Sequence, residues 1–157
     1  MIISLVQVSR KNRKDFDMGR VEFIIPGQPK GKGRPRMSTR TGVAYTPKDT
    51  VMYENLVRMM YQNQVGEKVL QGAISAEIIG YFQIPKSTSK KKRQEMLEGK
   101  VEYTKKVDCD NLAKVVLDSL NQVAFHDDSQ VSRLYVCKKY AEEPKVVVKL
   151  TELEEFE

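Results

Sequence analysis

"KKVDCDNLAKVVLDSLNQVAFHDDSQV", residues 105–131, gathers five carboxylates around one apolar run in a chain of 157 residues with a net charge of +6. The run has helical spacing. From Asn111 onward, Leu112, Ala113, Val116, Leu117, Leu120, Val123 and Ala124 recur at the interval that builds one broad apolar helix face. Asn111, Lys114, Asp118 and Asn121 occupy the narrow stripe that remains. The segment therefore reads as a largely buried helix with one polar edge, and that edge begins beside Asp108 and Asp110.

The neighbouring segments supply what such a helix packs against. "VEFIIPG" (21–27) is a β-branched strand stopped by Pro26-Gly27. The glycines and prolines of "QPKGKGRPRMSTRTGVAY" (28–45) disfavour helix and interior strand, leaving a loop or an irregular strand pair. Thr46-Pro47-Lys48-Asp49 starts a helix, with Thr46 at the N-cap and Pro47 at the first position. That helix runs to about Gln64, buries Met52, Leu56 and Met59 or Met60, and ends at Gly66. "AISAEIIGYFQIP" (73–85) alternates, placing Ile74, Ala76, Ile78, Phe82 and Ile84 on one strand face. Ser87 or Ser89 opens a short basic helix, "KKKRQEMLE" (90–98), closed by Gly99. "VSRLYVCKKY" (131–140) and "KVVVKL" (145–150) form a strand pair about a turn at 142–144.

The order strand, helix, strand, helix, helix, strand pair predicts a single α/β (α+β) domain, with a mixed β-sheet flanked by helices. The domain is placed at residues 21–150. Residues 1–20 are read as a loosely held extension in which Met18 is an alternative start, and 151–157 as an acidic tail.

Composition narrows the function classes. Hydrophobic residues make up 40% and charged residues 31%, as in a soluble globular protein. No apolar run is long enough to span a bilayer, and "MIISLV" lacks the basic lead and small-residue exit of a signal peptide. Cys109 and Cys137 are too few for a disulfide scaffold and read as free thiols in a reducing cytoplasm. His126 stands alone, which excludes a His/Cys metal cluster. The base is clustered: Lys30, Lys32, Arg34, Arg36 and Arg40 in one segment, Lys86, Lys90, Lys91, Lys92 and Arg93 in another. Such clusters favour polyanionic partners.

If residues 107–110 are extended, Asp108 and Asp110 point to one side and repel unless a cation lies between them. A hard divalent ion suits such a pair, and Mg²⁺ uses one or two carboxylates when it also binds phosphate. Blander roles are open on spacing alone. Asp110 can cap the helix, Asp127-Asp128 can form a turn, and Lys114 can pair with Asp110 and Asp118. Acids for a metal beside bases for a polyanion is nevertheless the arrangement a nuclease needs. The bases neutralise phosphates, and the metal polarises the scissile phosphate and activates water.

The ordered pattern resembles the RusA family of Holliday junction resolvases. "VDCDNLAKVVLDSL" (107–120) matches the D-x-D-N-x-x-K-x-x-x-D core, and "HDDSQV" (126–131) matches the D-D-x-Q-V/I element. "IPGQPKGKGRPR" (25–36) and "YTP" (45–47) look like the longer, phage-type members. The resemblance implies a homodimeric crossover junction endodeoxyribonuclease that uses Mg²⁺, or Mn²⁺ in its place, to nick opposed strands of branched DNA. It implies Asp108, Asp110 and Asp128 as metal-binding carboxylates and Lys114 as a catalytic lysine. Asp127 is a possible additional acid, and Asn111 and Asp118 support the ligands by hydrogen bonding. Lys30, Lys32, Arg34, Arg36, Lys90, Lys91, Lys92 and Arg93 are the expected DNA contacts. Cys109 replaces the more usual aliphatic residue and is expected to pack inward. Two other classes compete: a branched-DNA-binding protein without catalysis, and a D-x-D nucleotide-sugar transferase. The complete set of acids argues against the first, and the short chain against the second.

Overall fold

The computed structural model describes residues 19–155. The chain builds β1 (Arg20–Pro26), β2 (Arg36–Met37), β3 (Ala44–Tyr45), α1 (Lys48–Gln64), β4 (Ile74–Gln83), α2 (Lys90–Leu97), α3 (Cys109–Leu120), a 3₁₀ turn (Asp128–Gln130), β5 (Val131–Ala141) and β6 (Lys145–Glu152). Four strands form one mixed sheet in the order β1-β6-β4-β5, while β2 and β3 form a separate antiparallel hairpin. This is the single-domain α+β architecture expected from the element order.

Alternation decides which face of the sheet carries the core. Val21, Phe23 and Ile25 of β1, Val146, Val148 and Leu150 of β6, and Ile74, Ala76, Ile78 and Phe82 of β4 are all buried. The register aligns them, with Phe23 opposite Val148 and Val148 opposite Ile78. Helix α3 completes this core with Leu112, Val115, Val116 and Leu120, all fully buried, and α1 adds Tyr53, Val57 and Tyr61. Each such side chain stabilises the fold by about 1.5–3 kcal/mol relative to exposure. The closest approach of helix to sheet is at Gly80 of β4, where a Cβ would lie 2.8 Å from Leu112 Cδ2. Glycine lets α3 settle there.

Several local expectations are corrected. The segments now labelled β5 and β6 do not pair with each other; β4 lies between them, parallel to β5 and antiparallel to β6. β4, with one face fully buried, takes the central position, and the chain steps over it at 142–144. Helix α1 starts one residue later than expected, with Pro47 at the cap and no capping side chain. It buries Thr50, Tyr53, Val57 and Tyr61, leaving Met52 and Met59 exposed. The scattered methionines misled because two faces of this helix carry apolar residues. β6 reaches Glu152, whose N–H donates to the Gly19 carbonyl, so Thr151 and Glu152 belong to the sheet. Arg20 likewise belongs to β1, and the reading of Met18 as a start falls outside the described residues.

The loop after β1 is tied down at three points. Lys32 N–H donates to the Asn111 carbonyl at 3.0 Å, and Gly33 N–H donates to Thr50 Oγ1 at 3.2 Å. The Lys32 ammonium reaches Glu54 on α1 and lies 3.2 Å from Asp118 on α3. One lysine thus joins both helices.

Two substitutions test this packing. Leu112→Ala should destabilise by about 2–5 kcal/mol in urea unfolding, against about 0.5 kcal/mol or less for Leu134→Ala on the exposed part of β5. Lys32→Ala, which strands two carboxylates, should cost on the order of 1–3 kcal/mol by the same measurement, with Lys30→Ala near neutral.

Candidate functional site

Asp108 is the N-cap residue of α3, and Asp110 lies in its first turn. The backbone at Asp108 is extended (φ −70°, ψ 150°), but the helix begins at Cys109, so the two acids do not share an extended strand. Asp108 carries the residue type that caps helices, yet its side chain accepts no capping hydrogen bond. Among the described residues neither carboxylate forms an ion pair, and both residues are exposed. Two unengaged carboxylates, set where the helix N-terminus favours negative charge, are a donor set suited to a hard divalent cation that keeps most of its waters.

The loop that delivers them is fixed from β5 and β4. Tyr103 stacks on Phe82 with centroids 3.9 Å apart and donates its hydroxyl to the Lys106 carbonyl at 2.8 Å. The Lys138 ammonium donates to the Lys105 carbonyl at 2.9 Å. On the other side Gly31 lies so close that a Cβ would fall 2.6 Å from Val107 Cγ1 and 3.1 Å from Asn111 Cβ. The basic loop therefore passes directly over the start of α3.

The polar stripe of α3 forms a charge relay along the helix. Asp118 lies 3.2 Å from Lys32 and 3.5 Å from Lys114. Lys114 thus pairs one turn forward with Asp118 and, in this structure, not backward with Asp110. Lys32 also meets Glu54, which in turn lies 3.8 Å from Arg58. Partial burial pushes the Lys32 pKa down, but its hydrogen bonds to Glu54 and Asp118 more than reverse this and hold it above the ordinary lysine value. Glu54 escaped sequence reasoning, since nothing in its spacing links it to residues 105–131.

Asp128 is elsewhere. Its N–H donates to Asn121 Oδ1 at 2.8 Å, which places it beyond the C-terminal end of α3. Asp127 caps the 3₁₀ turn in a reciprocal capping box with Gln130. The Ser129 hydroxyl and N–H donate to the Asp127 carboxylate and hold its pKa below the usual range, with the hydroxyl the larger cause. Helix α3 has 12 residues. At about 1.5 Å per residue it keeps the two acidic groups roughly 18 Å apart. Among the described residues no three His, Cys, Asp or Glu side chains come together as a metal site.

The other expected positions divide. Lys30, Arg34, Arg36, Lys90, Lys91 and Lys92 are exposed. Lys32 is engaged as above, and Arg93 pairs with Glu142 at 3.2 Å. Asn111 contributes its backbone carbonyl to Lys32. Cys109, expected inward, is exposed, because the first helical position turns away from the sheet. Cys137 is also a free thiol. No helix among the described residues is long and apolar enough to cross a membrane.

Comparison with known proteins agrees with the motif pattern. The family model described as endodeoxyribonuclease RusA matches residues 26–151. A Bacillus subtilis (strain 168) relative, Uncharacterized protein YqaN, is 36% identical over 137 residues, spanning 85% of this chain and 96% of its own length. The matched region contains α3, both acidic groups and the basic loop. The chain belongs to the RusA endodeoxyribonuclease family.

Proposed function

We propose that this protein is a divalent-metal-dependent endonuclease that resolves four-way DNA junctions by paired nicks, acting as a homodimer. The observation that carries the reading is the pair Asp108 and Asp110, two exposed carboxylates without ion pairs at the start of a buried helix, with basic loop residues alongside. Family membership supplies the nuclease class.

Asp108 and Asp110 would hold Mg²⁺ or Mn²⁺, which when bound polarises the scissile phosphate and activates water. Lys114 is the mobile cation of the site. It is exposed, one turn from Asp110, and only loosely held by Asp118, so it can turn toward an entering phosphate. Lys32 keeps Asp118 paired when Lys114 leaves. Lys30, Arg34, Arg36 and the lysines of α2 guide the phosphate backbone, releasing counterions as they bind.

The separation along α3 bears on how Asp128 takes part. A rigid 12-residue helix holds it away from the dyad of its own chain. In a two-fold dimer the dyad of one chain can face Asp128 of a second copy, and symmetry then makes two equivalent composite sites. A junction with pseudo-two-fold symmetry presents two scissile phosphates to such a pair.

Asp110→Asn should leave folding and junction binding intact while cleavage in Mg²⁺ falls by more than the roughly 10–100-fold cost of removing an outer partner of a metal ligand. Undiminished cleavage would remove the metal assignment. Mixing Asp110→Asn with Asp128→Asn chains separates composite sites from sites within one chain. Composite sites leave one of two sites in the mixed dimer with every acid intact, so nicking of one strand should return. Sites within one chain leave both defective, and nicking should stay absent. Junction binding against salt should show a slope reduced by about 1 for Arg34→Ala and unchanged for Lys32→Ala.

A further inference from the structure

We propose that the β2–β3 hairpin is a wedge that enters the branch point of the DNA and stacks on its unpaired bases, with Tyr45 as the principal contact. This rests on the junction reading above and extends it to residues that the phosphate contacts do not involve.

The hairpin is a poor structural element and a good probe. Its strands are two residues each, Arg36–Met37 and Ala44–Tyr45, and their main packing is against each other. So short a ribbon gains little stability for the domain. It is nonetheless held in one shape. Ser38 N–H donates to the Val43 carbonyl at 3.0 Å, Gly42 N–H donates to the Ser38 carbonyl at 2.8 Å, and Gly42 takes the left-handed conformation (φ +68°). On this ordered tip the apolar side chains face solvent: Met37 is 65% exposed, Val43 63% and Tyr45 49%. Pairing sets Tyr45 opposite Arg36, so an aromatic ring and a guanidinium share one face, with Met37 on the other.

Charge identifies the occupant. From Gln28 to Lys48 the chain has six basic residues, Lys30, Lys32, Arg34, Arg36, Arg40 and Lys48, and no carboxylate. An exposed apolar tip within an unbroken positive field suits a ligand that is polyanionic outside and flat and apolar inside. Branched DNA is such a ligand. In a duplex the base faces are stacked and hidden; at a branch they can be reached, and apolar or aromatic side chains that insert there hold the duplex open. The position fits as well. The hairpin starts three residues after Gly33, which is bound to Thr50, and five after Gly31, which packs on Val107 and Asn111. Three residues span at most about 11 Å, so a wedged branch point would lie near the Asp108–Asp110 dyad.

The test uses the full chain in EDTA, where binding is read without cleavage, with 2-aminopurine at the centre of a four-way junction. The unaltered chain should raise the 2-aminopurine fluorescence and prefer the junction to a linear duplex. Tyr45→Ala should abolish the fluorescence rise and weaken junction binding about tenfold, the order of one base–aromatic stack. Its duplex affinity and its mass by light scattering should be unchanged. Tyr45→Phe, which keeps the ring, should behave as the unaltered chain. An unaltered fluorescence rise with Tyr45→Ala would overturn the wedge while leaving the junction reading standing. A fall in mass with Tyr45→Ala would also overturn it, assigning the hairpin to contact between copies. Failure of the unaltered chain to bind the junction would remove the junction reading and the wedge with it.

Discussion

Burial of α3 against β4 is the constraint on which the remainder depends. Leu112, Val115, Val116 and Leu120 have no exposed surface, and at Gly80 the helix approaches closely enough to exclude even a methyl group. A helix held this way cannot bend its ends together. Asp108 and Asp110 are fixed at one end and Asn121, with Asp128, at the other. The same packing that orders the core thus divides the five carboxylates into a dyad, a central paired acid and a distal pair. The proposal that a second copy completes each site follows from that rigidity.

Charge is distributed with equal economy. A basic chain with acids at its centre risks neutralising its own dyad. Here the available lysines are engaged elsewhere: Lys32 lies between Glu54 and Asp118, and Lys114 leans toward Asp118. Asp118 thereby draws the nearest ammonium groups one turn or more from Asp110. The dyad keeps its negative charge, and the exposed arginines of the loop keep their positive charge for phosphate. Partial burial makes the Lys32 contacts stronger than exposed pairs of the same geometry, which usually contribute about 1 kcal/mol or less.

Much of this was legible in the sequence, and the failures share a cause. Alternation in 73–85 and helical spacing in 111–120 are strong signals because each records one face buried in one core. Ser89 and Gly99 bound α2 as expected, since capping is local chemistry. The pairing of β5 and β6 was misread because adjacency in sequence says nothing about a third strand between them. The buried face of α1 was misread because Met52 and Met59 are as apolar as Val57, and tertiary contact selected among them. Asp108 and Asp110 stood out as a motif, whereas Glu54 acquires its role only when Lys32 is brought to it across 22 residues. The distance of Asp128 from the dyad was likewise invisible to spacing, since it depends on where the chain turns after Leu120.

The central claim is that this chain is a metal-dependent nuclease for branched DNA. The direct measurement is strand-by-strand mapping of an end-labelled four-way junction after incubation with the purified protein, with Mg²⁺ and with EDTA, beside a linear duplex of the same sequence. The account requires nicks in two opposed strands, symmetric about the branch, only with Mg²⁺ and not in the duplex. An intact junction in Mg²⁺, or the same nicks in EDTA, would contradict it.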